Sequence, residues 1–201
     1  MFLEQKGNKT QKKGWIEVVC GSMFSGKTEE LIRRINRAKI AHQKVVIFKP
    51  QIDVRYHERK VVSHNDTQID SIPVAKSKDI LDHIGNAEVV GIDEAQFFDM
   101  NLPEVCNLLA EKKVRVILAG LDMDFKGIPF GPMPLLLSMA EYVTKVHAIC
   151  MQCGGVAGYT FKRIHNEQTV ELGEKDLYEA RCRTCFNEGM AVIRKQIKMD
   201  L

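Results

Sequence analysis

The chain lacks any apolar run approaching the roughly 20 residues that a membrane-spanning helix needs. Its opening, Met-Phe-Leu-Glu-Gln-Lys-Gly, also lacks the apolar middle of a signal peptide. The expectation is a cytoplasmic protein with no membrane partner. Charge of one sign is missing too: Lys and Arg number 29, Asp and Glu 26, and the formal net charge is only +3. Basic residues cluster in one place, at Lys6, Lys9, Lys12 and Lys13, so nothing demands a nucleic-acid partner. Internal repeats and low-complexity tracts are absent. At 201 residues there is room for one full core and a smaller appendage, and no more.

Cysteine is scarce but patterned. The six lie at 20, 106, 150, 153, 182 and 185, and four of them form two C-x-x-C pairs. In a reducing compartment that spacing argues for metal rather than disulfides. Two residues between cysteines let both sulfurs converge on one tetrahedral ion, as in a zinc ribbon or knuckle. With Cys150, Cys153, Cys182 and Cys185 all supplied, no coordination position stays open for water, so the zinc is expected to be structural. A redox dithiol would need only one pair. Cys20 and Cys106 read as small buried core residues.

The densest signal is Gly21-Ser22-Met23-Phe24-Ser25-Gly26-Lys27-Thr28. It follows the run Trp15-Ile16-Glu17-Val18-Val19 and opens a segment of helical period, Glu29 to Ala41, so it falls where a strand hands over to a helix. A loop of this kind turns its backbone N–H groups on phosphate oxygens, with the positive end of the helix dipole behind them. Lys27 would reach the β and γ phosphates, and the Thr28 hydroxyl would ligate magnesium.

Further along, Lys44–Lys49, Glu88–Glu94, Val114–Gly120 and Tyr142–Val146 read as strands. Helices are expected at Glu29–Ala41, Asp79–Ile84, from Pro103 through Leu109, and at Pro134–Ala140. Arg33, Arg34, Arg37 and Lys39 read as a solvated outer face of the first helix. Gln51 to Asp70 reads as a long, charged, irregular loop with a functional role. Apolar strands alternating with helices predict an α/β fold, a parallel sheet flanked by helices. Ligands of such sheets bind beyond the carboxyl ends of the strands, where the loop after Cys20, Asp93-Glu94 and the turn after Gly120 should meet.

Asp93 ends its strand as the second acidic element of P-loop enzymes does, holding magnesium. If the strand pleat persists, Glu94 points the other way, toward a second substrate. It would then accept the proton of an attacking hydroxyl in a kinase or orient water in an ATPase. Gly154 to Arg181, tethered between the cysteine pairs, is a lid that closes over a ligand or a small β-hairpin that touches none.

With these residues in place the chain resembles the thymidine kinases of the small, zinc-containing type. The likeness runs from Gly14 to about Glu188. It rests on the P-loop, Asp53-Val54-Arg55-Tyr56, Ser63-His64, Asp93-Glu94-Ala95-Gln96-Phe97-Phe98, Gly120-Leu121-Asp122, Asp124-Phe125, Pro129-Phe130, and Tyr178 four residues before Cys182-Arg183-Thr184-Cys185. The resemblance implies a P-loop (RecA-like) domain over 14–147 and a zinc-binding lasso domain with its tail over 148–201, after a flexible arm at 1–13. It also implies transfer of the γ-phosphate of ATP to the 5′-hydroxyl of thymidine, with Glu94 as general base, Arg55 assisting and Lys27 on the phosphates. ATP would lie along Gly21 to Thr28 with Asp93 and Gln96, and magnesium against Thr28 and Asp93. Met23, Asp53, Phe97, Leu121, Phe125, Thr160, Gly173 and Tyr178 would contact the nucleoside. A homotetramer and feedback binding of thymidine triphosphate follow from the same likeness. The lasso reads Glu171-Leu172-Gly173-Glu174-Lys175, where relatives often carry two adjacent glycines. Asp93-Glu94-Ala95-Gln96 also resembles the acidic box of nucleic-acid-stimulated ATPases, and a nucleotide-gated binding module is a third reading.

Overall fold

Six short apolar runs align as one parallel sheet. The computed structural model describes residues 13–52, 60–62, 68–163 and 177–199. In chain order the sheet strands are β1 (Trp15–Cys20), β2 (Val45–Pro50), β5 (Ile72–Val74), β6 (Val89–Ile92), β7 (Arg115–Gly120) and β8 (Tyr142–Lys145), arranged β5-β2-β6-β7-β1-β8. Every pairing in it is parallel. Parallel strands need covered faces, and helices supply them. α1 (Lys27–Ile40) packs Leu31, Ile32, Ile35 and Ala38 on one face. The other face takes α2 (Asp79–His83), α3 (Leu102–Glu111) and α4 (Met133–Met139) through Ile80, Leu102, Leu109 and Met133. Among the described residues no helix is long and apolar enough to cross a membrane.

The expected strands and helices are all present within a few residues, and the differences each have a cause. The stretch expected to be irregular contains an antiparallel hairpin, β3 (Lys60–Val62) with β4 (Gln68–Asp70), and Ile69 packs into the core under α1. Three residues are too few to show a period, which also hid β5 at the sheet edge. After β8 come two further antiparallel pairs, β9 (Ala148–Ile149) with β10 (Val156–Ala157) and β11 (Tyr159–Lys162) with β12 (Tyr178–Arg181). A helix, α5 (Arg183–Met199), follows where a tail was expected.

Arg34 is the correction with the largest energetic weight. It is not solvated but 2% exposed, beneath α1. Glu17, in the middle of β1, is its reason. The Glu17 carboxylate accepts from Arg34 Nη1 at 2.8 Å, Arg115 Nε at 2.7 Å and Trp15 Nε1 at 2.6 Å. Arg34 also donates to Glu30 Oε1 and to Thr144 Oγ1. One buried anion thus ties α1, β1, β7 and β8 together. Arg33 and Arg34 in turn hold the Glu30 carboxyl down to about 2. Removing the shared anion strands two buried cations, so Glu17→Ala is expected to cost about 3–5 kcal/mol in urea unfolding. A loss under about 1 kcal/mol would show that the arginines reach water when unpaired.

Candidate active site

β1 leaves the sheet at Gly21, whose φ is 151° and whose missing Cβ would lie 2.2 Å from the Val146 carbonyl oxygen. The loop closes at Gly26, left-handed at φ 81°, and α1 begins at once with Lys27. Only glycine meets both demands. Within the loop, Ser25 Oγ and Lys27 Nζ both donate to the Ser22 carbonyl, at 2.7 and 2.8 Å. The Ser22 hydroxyl is buried with no hydrogen-bond partner among the described residues. A buried donor of that kind is costly until something accepts from it, and a phosphate oxygen would.

β6 ends at Ile92, one residue before Asp93, whose N–H extends the ladder to Phe48 O at 3.0 Å. Thr28 Oγ1 lies 3.5 Å from Asp93 Oδ2, so a hydroxyl and a carboxylate converge at the foot of the loop. That pair suits a hard cation with oxygen ligands. Pleat alternation does not set the direction of Glu94, since the strand has already stopped at Ile92. The Glu94 backbone is left-handed, φ 50° and ψ 42°. Among the described residues, four other than glycine have positive φ: His42 and Lys113 follow helix ends, while Phe24 and Glu94 stand at this site. Such a conformation costs on the order of 1–3 kcal/mol and persists only where neighbours enforce it. Gln96 is one enforcer, donating from Nε2 to Glu94 Oε2 at 2.5 Å and accepting from Leu121 N at 2.9 Å.

The turn after β7 completes the rim. The Asp124 carboxylate accepts the N–H groups of Lys126 and Ile128 at 2.8 and 2.9 Å, folding a loop that holds Phe125 buried. Asp124 is thus a loop former. The ammonium groups of Lys126 and Lys162 lie 5.5 and 5.3 Å from the Phe125 ring centre. Phe97 meets Phe130 edge to face at 5.5 Å. Asp122 pairs with Lys145 at 2.6 Å, and that bond raises the lysine further. Tyr178 is buried, and Thr160 Oγ1 accepts Met23 N–H at 3.0 Å. The structure therefore brings together Met23 with Thr160, Thr28 with Asp93, and Glu94 with Gln96 and Leu121. Asp53, Arg55, Ser63-His64 and Gly173 lie outside the described residues.

The four paired cysteines form one cluster, with all sulfurs within 4.8 Å of one another. Cys153 Sγ and Cys182 Sγ are 3.7 Å apart. A tetrahedral ion with Zn–S bonds of about 2.3 Å places its sulfurs about 3.8 Å apart, so the set could hold zinc. Burial opposes the Cys150 thiolate, but backbone donors from Cys182, Cys153 and Gln152 outweigh it and bring that thiol down to about 6, whereas the hydrogen bond with Cys182 pushes Cys185 up; all four would be thiolates only on a bound metal. Cys20 and Cys106 are buried in the core, and burial raises both thiols, Cys20 to about 11.

Two contacts here were not foreseen. Phe24, in the glycine loop, packs on the small core of Ala148, Cys150, Ala157 and Ala180 beside Cys182 and Cys185. Met23 N–H reaches β11 as described above. The only sequence trace of either was the pair of large apolar residues Met23-Phe24 between the small residues Ser22 and Ser25.

A parallel sheet with this loop, an acid two strands away that meets the loop's threonine and a second, strained acid beside it defines a P-loop nucleotide-binding protein equipped for phosphoryl transfer. The family model described as thymidine kinase matches residues 14–186. A thymidine kinase of Bacteroides fragilis is 55% identical over 98% of this chain and 98% of its own. One of Porphyromonas gingivalis is 58% identical over 88% of this chain and 87% of its own, and one of a Rhodothermus species 56% identical over 86% and 81%. The chain belongs to the thymidine kinase family.

The Phe24 and Met23 contacts make the cysteine cluster a support for the phosphate loop. Cys153→Ser is expected to release metal from the folded protein and to weaken ATP binding about tenfold, some 1.4 kcal/mol, as measured by calorimetry. Unchanged ATP affinity in folded, metal-depleted protein would mean the loop holds its shape alone.

Proposed function

We propose that the protein transfers the γ-phosphate of ATP to the 5′-hydroxyl of thymidine, giving thymidine monophosphate and ADP in nucleotide salvage, with deoxyuridine as a second candidate acceptor. The observation that carries the reading is identity of 55–58% to proteins named thymidine kinase, over most of both chains, in a fold that sets a second carboxylate beside the P-loop. No observation favours a nucleic-acid-stimulated ATPase.

In this reading the amides of Gly21 to Thr28 take the phosphates and Lys27 exchanges the Ser22 carbonyl for the β and γ oxygens. Thr28 and Asp93 would hold magnesium, which supplies charge neutralisation between the β and γ phosphates. Glu94 removes the proton of the 5′-hydroxyl as that oxygen attacks phosphorus, and the bond to the β-phosphate oxygen breaks to release ADP. Arg55 steadies the reacting groups and Asp53 holds the sugar. Met23, Phe97, Leu121, Phe125, Thr160, Gly173 and Tyr178 enclose the base. We assign residues 14–147 to the nucleotide-binding domain and 148–201 to the lasso domain. The enzyme acts as a cytoplasmic homotetramer restrained by thymidine triphosphate in the same site.

Incubation with ATP, magnesium and each nucleoside in turn, followed by separation of monophosphates, is expected to give thymidine monophosphate foremost. Hydrolysis that rises with single-stranded DNA and ignores nucleosides would overturn the assignment. Glu94→Gln is expected to lower kcat about 10²–10⁴-fold with ATP binding retained. Wild-type turnover in that variant would remove Glu94 from its role.

A further inference from the structure

We propose that Gln96 is the positioning residue of the proton acceptor: its buried amide fixes the Glu94 carboxylate and ties it to the turn at Leu121. This rests on the reading of Glu94 as the base. Gln96 is 2% exposed. Its Oε1 lies 2.9 Å from the Leu121 backbone N–H, which donates and cannot accept, so that end of the amide must be the oxygen. The NH2 end is thereby aimed at Glu94 Oε2, 2.5 Å away, and cannot flip without losing both bonds. A donor to a carboxylate makes a charge-assisted bond, roughly twice as strong as a neutral one.

The end of β7 is cut to fit this side chain. A Cβ on Gly120 would lie 2.9 Å from Gln96 Oε1 and 2.8 Å from Met133 Sδ. Gly131 makes room for the backbone of the same residue, since a Cβ there would lie 2.3 Å from the Gln96 main-chain oxygen. The two bonds use one N–H and one lone pair of the amide and fix its orientation, leaving the second N–H for any further acceptor. Because the other end of the amide is held by Leu121, any acceptor that displaces this turn also swings the carboxylate. Nucleosides that fill the pocket poorly then bind but react slowly, which is selection in kcat rather than in affinity.

The test is a double-mutant cycle. Gln96→Met keeps the volume and removes both hydrogen bonds; Gln96→Glu keeps the acceptor for Leu121 and loses the donor, and serves if the first variant does not fold. Each is expected to lower kcat about 100-fold, as a misplaced reacting group does, with Kd for ATP and for thymidine within about threefold. In a Glu94→Gln background, adding either change is expected to cost less than about twofold, because a residue that acts through Glu94 has nothing left to act on. A rise in the ATP Kd that accounts for the lost activity would overturn the proposal. Full additivity with Glu94→Gln would overturn it equally. Failure of the underlying reading is distinct: there Glu94→Gln alone would leave turnover intact.

Discussion

Three adjacent parallel strands that end within two residues of one another are the constraint on which the site depends. Cys20 of β1 pairs with Gly120 of β7, and Leu118 of β7 pairs with Ile92 of β6. Neighbouring strands lie about 4.8 Å apart, so the loops after these three emerge side by side. Parallel strands return through crossovers on the sheet faces, which leaves each of these loops free to bend toward a ligand instead of closing a hairpin. The register matters as much as the order. A slip of one residue in β6 would send Asp93 to the face covered by α3, away from Thr28. Glu17 guards the register of β1 on the α1 face, since its two arginine partners come from α1 and from β7.

The cysteine cluster answers a different deficit. The core around it consists of Ala148, Cys150, Ala157 and Ala180, with Cys182, Cys185 and Phe24 at its margin. At about 0.8 kcal/mol per buried CH2, alanines cannot hold two short hairpins in place. A metal cross-link can, because its binding free energy becomes folding free energy. The largest apolar side chain in this cluster belongs to the phosphate loop, so that loop and the thiol centre share one core. That sharing also explains the left-handed Phe24: the backbone accepts strain to place the ring there.

Much of this was legible in the residues. Long apolar runs, the glycine loop and the cysteine spacing each carry a period or an interval that few other structures satisfy. What was not legible has physical reasons. β5 and the β3–β4 pair are three residues each, too short for a period. Arg34 looked solvated because charge on a helix usually is. The contrary signal was Glu17, a carboxylate in the centre of a buried strand that needs a cation brought from elsewhere in the chain. The left-handed turn at Glu94 left no trace, since glutamate has no preference for it. Its cause is tertiary: the ladder bond at Asp93 on one side and the Gln96 amide on the other.

That turn decides between the two chemistries open to a carboxylate beside a triphosphate. Any O–H within reach is activated, water included, so a kinase must separate its metal-facing acid from the acid that meets the acceptor and line the latter's surroundings with apolar groups. Asp93 faces Thr28. Glu94 is held by an amide whose partner is Leu121, and the next residue after Gln96 begins an aromatic wall in which Phe97 packs edge to face on Phe130. An apolar wall gives water nothing to hydrogen-bond, whereas a nucleoside gains by covering it. The strained residue, the amide that holds it and the first ring of the wall occupy only Glu94 to Phe97. On the proposed assignment of Glu94 as the base, this four-residue stretch is what would favour an alcohol over water at the end of β6.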